Sequence, residues 1–260
     1  MSKIYQPSGR AREYSPLALN LYQGCTHGCK YCYVPRMFGR WNRNYDHSKC
    51  EPKFDARELE QSAAKLQHCG KQILLSFTGD PYCGIDNMPT RQALEILNRY
   101  QHHVAILTKG GTRCLKDINL FKQFGKRIKI GATLTFDNSQ DSLEWEPGGA
   151  LPINRLTMLK ILHSQGITTW ASFEPVIVPE QSLRLLSIVA SLVYVDHVKI
   201  GKLNNFNGLD SKIDWASFIR EAVAICRHRD LPFYVKNDLA TFNQGTELRP
   251  EERDQDFLNI

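Results

Sequence analysis

Short apolar runs alternate along this chain with longer stretches in which apolar positions recur every three or four residues. The runs lie at residues 17–22, 72–76, 104–108, 129–135, 168–173, 194–199 and 233–235. The periodic stretches lie at 57–66, 90–100, 115–124, 154–164, 181–192 and 215–227. Leu59, Ala63 and Leu66 fall on one helical face, as do Leu185, Val189 and Leu192. Asp214 predicts an N-cap for the last helix, and Gly166 predicts a stop after the fourth. The runs are continuously apolar, as expected of strands covered on both faces. Their strict alternation with helices predicts a parallel sheet in an α/β fold. Six or seven such units suit an open doubly wound sheet or a barrel.

Each apolar run ends in a polar or glycine-containing cluster. The first ends at a cysteine loop, the second at Thr78-Gly79-Asp80-Pro81-Tyr82 and the third at Thr108-Lys109-Gly110-Gly111. The fourth ends at Thr133 and Thr135, the fifth at Glu174-Pro175, the sixth at Gly201-Lys202-Leu203-Asn204-Asn205 and the last at Lys236-Asn237-Asp238. Turn residues explain any one of these clusters. Reactive side chains at nearly every strand end predict one shared site, because parallel α/β folds bind ligands there. No Gly-x-Gly-x-x-Gly follows a strand, which argues against a dinucleotide fold.

The cysteine loop carries the most specific chemistry. Cys25, Cys29 and Cys32 lie within eight residues, in the order Cys25-Thr26-His27-Gly28-Cys29-Lys30-Tyr31-Cys32. Three thiolates so close can hold three corners of an iron–sulfur cubane and leave the fourth iron open to a ligand. Zinc is the competing reading, with Cys50 or His27 completing a tetrahedral set. A disulfide framework and unrelated buried thiols are the other two.

Composition narrows the setting. At 260 residues the chain suffices for one domain, with a core over about 15–230 and short extensions at either end. The opening Met-Ser-Lys-Ile-Tyr-Gln-Pro has no apolar h-region, and no run approaches the roughly 20 apolar residues of a membrane span. Eight cysteines without an export signal predict a reducing, cytoplasmic setting and no membrane partner. The net charge of +6 permits a nucleic-acid partner without requiring one.

The C-x3-C-x2-C spacing, with Tyr31 just before the last cysteine, resembles the radical SAM superfamily. Segments 9–14 and 18–29, together with Thr78-Gly79-Asp80-Pro81-Tyr82, Thr108-Lys109, Glu146-Pro147-Gly148, Phe173-Glu174-Pro175 and Lys199-Ile200-Gly201-Lys202, resemble its spore photolyase-like branch. The resemblance implies a partial (β/α)6 TIM-type barrel of parallel strands, here with one extra C-terminal strand. It implies a [4Fe–4S] cluster on Cys25, Cys29 and Cys32 and S-adenosylmethionine at the open iron. Reductive cleavage would give a 5′-deoxyadenosyl radical for hydrogen abstraction, with a flavodoxin or ferredoxin-type protein as electron donor. Tyr31 would pack near the adenine, and Thr78, Gly79 and Asp80 would meet the methionyl ammonium. Lys109, or else Arg155, would meet the methionyl carboxylate. Thr133 and Thr135 would contact the ribose, and Glu174 would also serve the cofactor.

The narrower expectation is a lyase or a nucleic-acid-modifying enzyme, with DNA repair of the spore photolyase kind as one form. In that form Cys83 is the nearest candidate hydrogen-atom donor, although no motif fixes it and a small buried hydrophobe is the plainer reading. The segment Arg36-Met37-Phe38-Gly39-Arg40-Trp41-Asn42-Arg43-Asn44-Tyr45 interleaves arginines with aromatics. Arg36, Arg40 and Arg43 could pair with phosphates while Trp41 stacks on a base. A solvated loop with packed aromatics is the plain alternative. The rival function is a non-catalytic zinc or iron–sulfur module that binds nucleic acid.

Overall fold

The computed structural model describes residues 3–40, 45–46, 48–84, 86–203, 206 and 208–260. Trp41 and Arg43 therefore lie outside the described residues. Seven parallel strands form one sheet: β1 (Leu17–Leu19), β4 (Gln72–Leu75), β5 (His103–Thr108), β6 (Ile128–Thr133), β7 (Thr168–Phe173), β8 (His197–Ile200) and β9 (Phe233–Val235). They pair in that order, and the sheet curls into a partial barrel of six strands plus the expected C-terminal one. β2 (Tyr22–Gln23) and β3 (Glu51–Pro52) make a small antiparallel pair, with Gln23 opposite Glu51. The apolar run at 17–22 thus splits: its first half joins the barrel and its end turns out to brace the cysteine loop.

The helices form for local reasons. Asp55 caps the helix at Ala56–Lys65 by accepting from Glu58 N–H. Asn138 caps a helix at Ser139–Trp145 and Asp214 caps one at Trp215–His228 in the same way. Proline starts Pro152–Ser164 and Pro179–Ser191, where its fixed φ and missing donor cost nothing. Gly166 takes φ +75°, the left-handed turn that ends Pro152–Ser164. The apolar faces of four of these helices bury Leu59, Leu159, Leu186 and Phe218 against the outer face of the sheet.

Because strand side chains alternate, the inner face is a separate, mostly polar column. Lys129, Gly131 and Thr133 lie on it from β6, Trp170 and Ser172 from β7, and His197 and Lys199 from β8. Gly131 is required there: a Cβ would come within 2.5 Å of the Trp170 indole. Residues 255–260 close the strand starts. Lys129 Nζ donates to the Leu258 carbonyl, Lys199 Nζ to the Glu13 and Gln255 carbonyls, and Gln72 Nε2 to Asn259 Oδ1. The floor of the lumen is therefore sealed, and its open end is the mouth formed by the strand ends.

Candidate functional site

The cysteine loop leaves β2 at Gly24, whose φ of +86° only glycine adopts without strain. A Cβ there would also meet the Lys49 carbonyl oxygen at 2.3 Å. From the other side Gly148 presses on the loop: its Cβ would fall 2.0 Å from the Thr26 carbonyl oxygen, and its N–H donates to the His27 carbonyl at 2.9 Å. Cys25, Cys29 and Cys32 are half-buried between these supports. Burial pushes the Cys25 thiol up to about 12 and the Cys29 thiol up to about 11, and it raises Cys32 as well. A bound metal centre reverses that preference by taking the thiolate.

His27, inside the loop, is one of the two supplements that the competing zinc reading would need. Its ring is buried, with Nδ1 3.4 Å from Asp80 Oδ2 and Nε2 3.2 Å from an Arg113 guanidinium nitrogen. A guanidinium can only donate and a carboxylate only accept, so Nδ1 carries the proton and Nε2 accepts. Burial, with the cations Lys109 and Arg113, holds the imidazole down to about 4 against the pull of Asp80. Both nitrogens are engaged, and Cys50 is joined to Cys83 by a disulfide. Neither supplement proposed for a zinc site thus has a free ligand atom here, which leaves a three-thiol set. Among the described residues no three His, Cys, Asp or Glu side chains converge on a single-ion site.

Asp80 is a hub. Its Oδ1 accepts from Tyr82 N–H at 2.8 Å and Thr108 Oγ1 at 2.6 Å; its Oδ2 accepts from Lys109 N–H at 2.7 Å and faces His27. The four contacts match the four lone-pair positions of a carboxylate. Asp80 therefore locks the β4 and β5 loops to the cysteine loop. Thr78 and Gly79 lie beside it: the Thr78 carbonyl accepts from Tyr45 Oη at 3.2 Å, and Gly79 packs against the Gly24 carbonyl.

A second cluster sits at the ends of β5 and β6. Glu146, fully buried, accepts from Tyr31 Oη, from Thr135 Oγ1 at 3.0 Å and from Arg155 at 2.5 Å. Burial would raise the Glu146 carboxyl, but Arg155 and Lys109 outweigh it and hold it below its ordinary range. Arg155 Nε and Nη1 donate to the carbonyls of Ala150 and Thr133, so all three of its nitrogens are engaged. Arg155 is thus committed inside the protein, and Thr133 engages it through its backbone. Lys109 differs. Its ammonium lies 5.5 Å over the Tyr31 ring and has no hydrogen-bond acceptor among the described residues. Burial lowers its proton affinity, yet Cys29 and Glu146 raise it further, so the group is a firm cation. Of the two cations expected to meet a carboxylate, Lys109 alone keeps its donors available.

Two expected residues are engaged by other side chains. Cys83 is buried and bonded to Cys50, so in this form it has no S–H to give. Glu174, at the end of β7, accepts from Tyr14 Oη and from Lys236 Nζ at 2.7 Å. Sequence reasoning assigned no role to Glu146, Arg113, Tyr14 or Lys236. The signals existed, since Glu146-Pro147-Gly148 and Lys236-Asn237-Asp238 stood out as segments, but only the fold shows what they touch.

Comparison with known proteins bears on the same residues. The family model described as Radical SAM superfamily matches residues 19–190. An uncharacterized protein of Methanocaldococcus jannaschii is 32% identical over 163 residues, or 61% of this chain and 60% of that protein. SuiB of Streptococcus suis bound to S-adenosylmethionine superposes with a TM-score of 0.65 at 15% identity, over 89% of this chain and 53% of that one. A mutant spore photoproduct lyase with bound AdoMet and dinucleoside spore photoproduct gives a TM-score of 0.60 at 15% identity, over 86% of this chain and 63% of that one. The chain spans between about half and two thirds of the length of these relatives. At such identities the structural likeness carries the fold.

Proposed function

This chain belongs to the radical SAM superfamily, and from that premise we propose that Cys25, Cys29 and Cys32 hold three irons of a [4Fe–4S] cluster beside an S-adenosylmethionine site. Bound there, the two cofactors supply reductive cleavage of the sulfonium and a 5′-deoxyadenosyl radical for hydrogen abstraction. The observation that carries this reading is the half-buried three-thiol loop fixed at the strand ends beside Lys109, a cation with no hydrogen-bond acceptor among the described residues. A three-thiol set suits a cluster with an open corner, and Lys109 suits the methionyl carboxylate.

The other residues take roles their surroundings support. With the oxygens of Asp80 engaged, the carbonyls of Thr78 and Gly79 are the acceptors for the methionyl ammonium, and Asp80 acts by positioning them. Tyr31, held by Glu146, packs against the adenine. Arg155 positions Glu146, and the Thr133–Thr135 edge meets the ribose. A flavodoxin or ferredoxin-type protein delivers the electron. The substrate is a nucleic acid, approached through the exposed Arg36 and Arg40. What supports this is the bond from Tyr45 to the Thr78 carbonyl, which rests the end of that segment on the mouth. In a repair-type reaction, reduced Cys83 would be the hydrogen-atom donor.

The test is anaerobic reconstitution followed by reduction with S-adenosylmethionine present. The reading requires 5′-deoxyadenosine and methionine as products. It also requires oligonucleotide binding that weakens steeply with salt and less steeply after Arg36→Gln/Arg40→Gln. No 5′-deoxyadenosine under any reductant rejects the chemistry. Binding indifferent to salt rejects the nucleic acid and leaves the chemistry standing.

A further inference from the structure

The cofactor reading leaves one part of the mouth unassigned. There the ends of β7, β8 and β9 bring Glu174, Gly201 and Lys236 side by side. Lys236 Nζ donates to Glu174 Oε2 at 2.7 Å, and the Tyr14 hydroxyl donates to the same oxygen. The Lys236 ammonium lies 4.5 Å over the Tyr14 ring, and the Tyr14 hydroxyl also meets Ser172 Oγ at 2.8 Å. Gly201 is the bare strand end that makes this possible. A Cβ there would come within 2.8 Å of Glu174 Cδ and 2.9 Å of Lys236 Cδ.

All of this support falls on one carboxylate oxygen. Oε1 of Glu174 has no hydrogen-bond partner among the described residues, and the side chain keeps 16% of its exposure while that of Lys236 keeps 2%. The partly exposed acceptor is therefore backed by a buried counter-charge. A cation approaching Oε1 would meet the ammonium behind it, and an anion would meet the carboxylate itself. Drawing either partner out of the ion pair would leave a charge uncompensated in a poorly solvated place. A neutral donor faces neither penalty and still gains a hydrogen bond to a charged acceptor.

We propose that Glu174 Oε1 is a substrate-binding acceptor, and that the group it takes is a neutral amide or imide N–H. Tyr14 and Lys236 are positioning residues that fix the carboxylate and cancel its charge, and Gly201 is the gap that lets them meet. The inference rests on the cofactor reading, which gives the cysteine loop and Lys109 to S-adenosylmethionine and leaves these strand ends to the substrate.

The test uses two ring-matched probes of opposite character, neutral 2-pyrrolidinone and cationic pyrrolidinium. Each is titrated into the reconstituted protein with S-adenosylmethionine present, and binding is read by saturation-transfer NMR. Wild type should favour the lactam by about tenfold or more, and Glu174→Gln should weaken lactam binding by about tenfold. Lys236→Met should invert the preference, because it exposes an unpaired carboxylate to the probe. Gly201→Ala, which removes no charge, should weaken the lactam by displacing both partners. A wild-type preference for pyrrolidinium, no lactam binding, or an unchanged preference in Lys236→Met would each overturn the proposal. Loss of S-adenosylmethionine binding in Glu174→Gln would overturn it too and return Glu174 to the cofactor. The NMR reading does not depend on turnover, so failure to cleave S-adenosylmethionine with the lactam preference intact counts against the cofactor reading and not against this acceptor.

Discussion

Lys109 and Lys199 line the same lumen and end in opposite situations. At the floor, Lys199 gives its protons to the carbonyls of Glu13, Tyr14 and Gln255, between the rings of Tyr14 and Tyr234. Burial, and then the repulsion of Lys236, lower it to about 7. At the mouth, Lys109 has no such carbonyls, and the acidic groups around it keep it charged. The floor therefore uses a lysine as a structural strut, whereas the mouth holds one ready for a ligand. Burial alone does not separate the two; the unmade hydrogen bonds do.

The largest effect should come from breaking the mouth's own support. Arg155→Met leaves the Glu146 carboxylate buried without its partner, which costs about 3–5 kcal/mol. A thermal melt should shift down by roughly 6–20 °C. A shift under about 2 °C would mean that Glu146 is not held by Arg155 as described. Next comes Asp80→Ala, which strands the Tyr82 and Lys109 N–H groups and frees His27. The expected cost is about 2–3 kcal/mol, with iron retention and S-adenosylmethionine affinity falling together. A fall in affinity alone would show that Asp80 meets the cofactor directly.

Lys109→Met should behave in the opposite way. Stability should fall by less than in Arg155→Met, since no protein hydrogen bond is lost and only the charge that helps hold Glu146 ionised is removed. S-adenosylmethionine affinity, read by equilibrium dialysis, should fall at least about tenfold for one charge-assisted contact. The smallest effect belongs to the floor. Between a folded value of about 7 and the ordinary 10.5, the unfolded chain binds more protons at Lys199 than the folded one. Stability therefore rises with pH across that window, and the full penalty applies below it. From pH 7 to 9 wild type should gain about 1–2 kcal/mol over Lys199→Met in urea titrations. Parallel pH profiles for the two proteins would remove Lys199 as the cause.

Much of this arrangement was legible in the sequence. The apolar runs located every strand of the large sheet, because the face each strand turns to the helices is apolar. The cap at Asp214 and the stop at Gly166 held for the same local reasons that predicted them. The cysteine spacing marked the loop. What stayed hidden depends on who meets whom across the fold. Glu146 and Tyr31 are 115 positions apart, and Glu13 reaches Tyr234 across 221. A carboxylate reads alike in sequence whether it faces a ligand or, like Asp80, already holds four internal contacts. The split of residues 17–22 between two sheets was equally invisible, since both halves are apolar and buried.

The central claim is that the three-thiol loop holds the metal centre, and iron analysis tests it most directly. Anaerobically reconstituted wild type should hold about four irons per chain and no stoichiometric zinc. Cys25→Ala, Cys29→Ala and Cys32→Ala should each lose the iron, while Cys69→Ala, at an exposed thiol, should keep it. Iron retained by all three loop variants, or zinc in place of iron in wild type, would contradict the account.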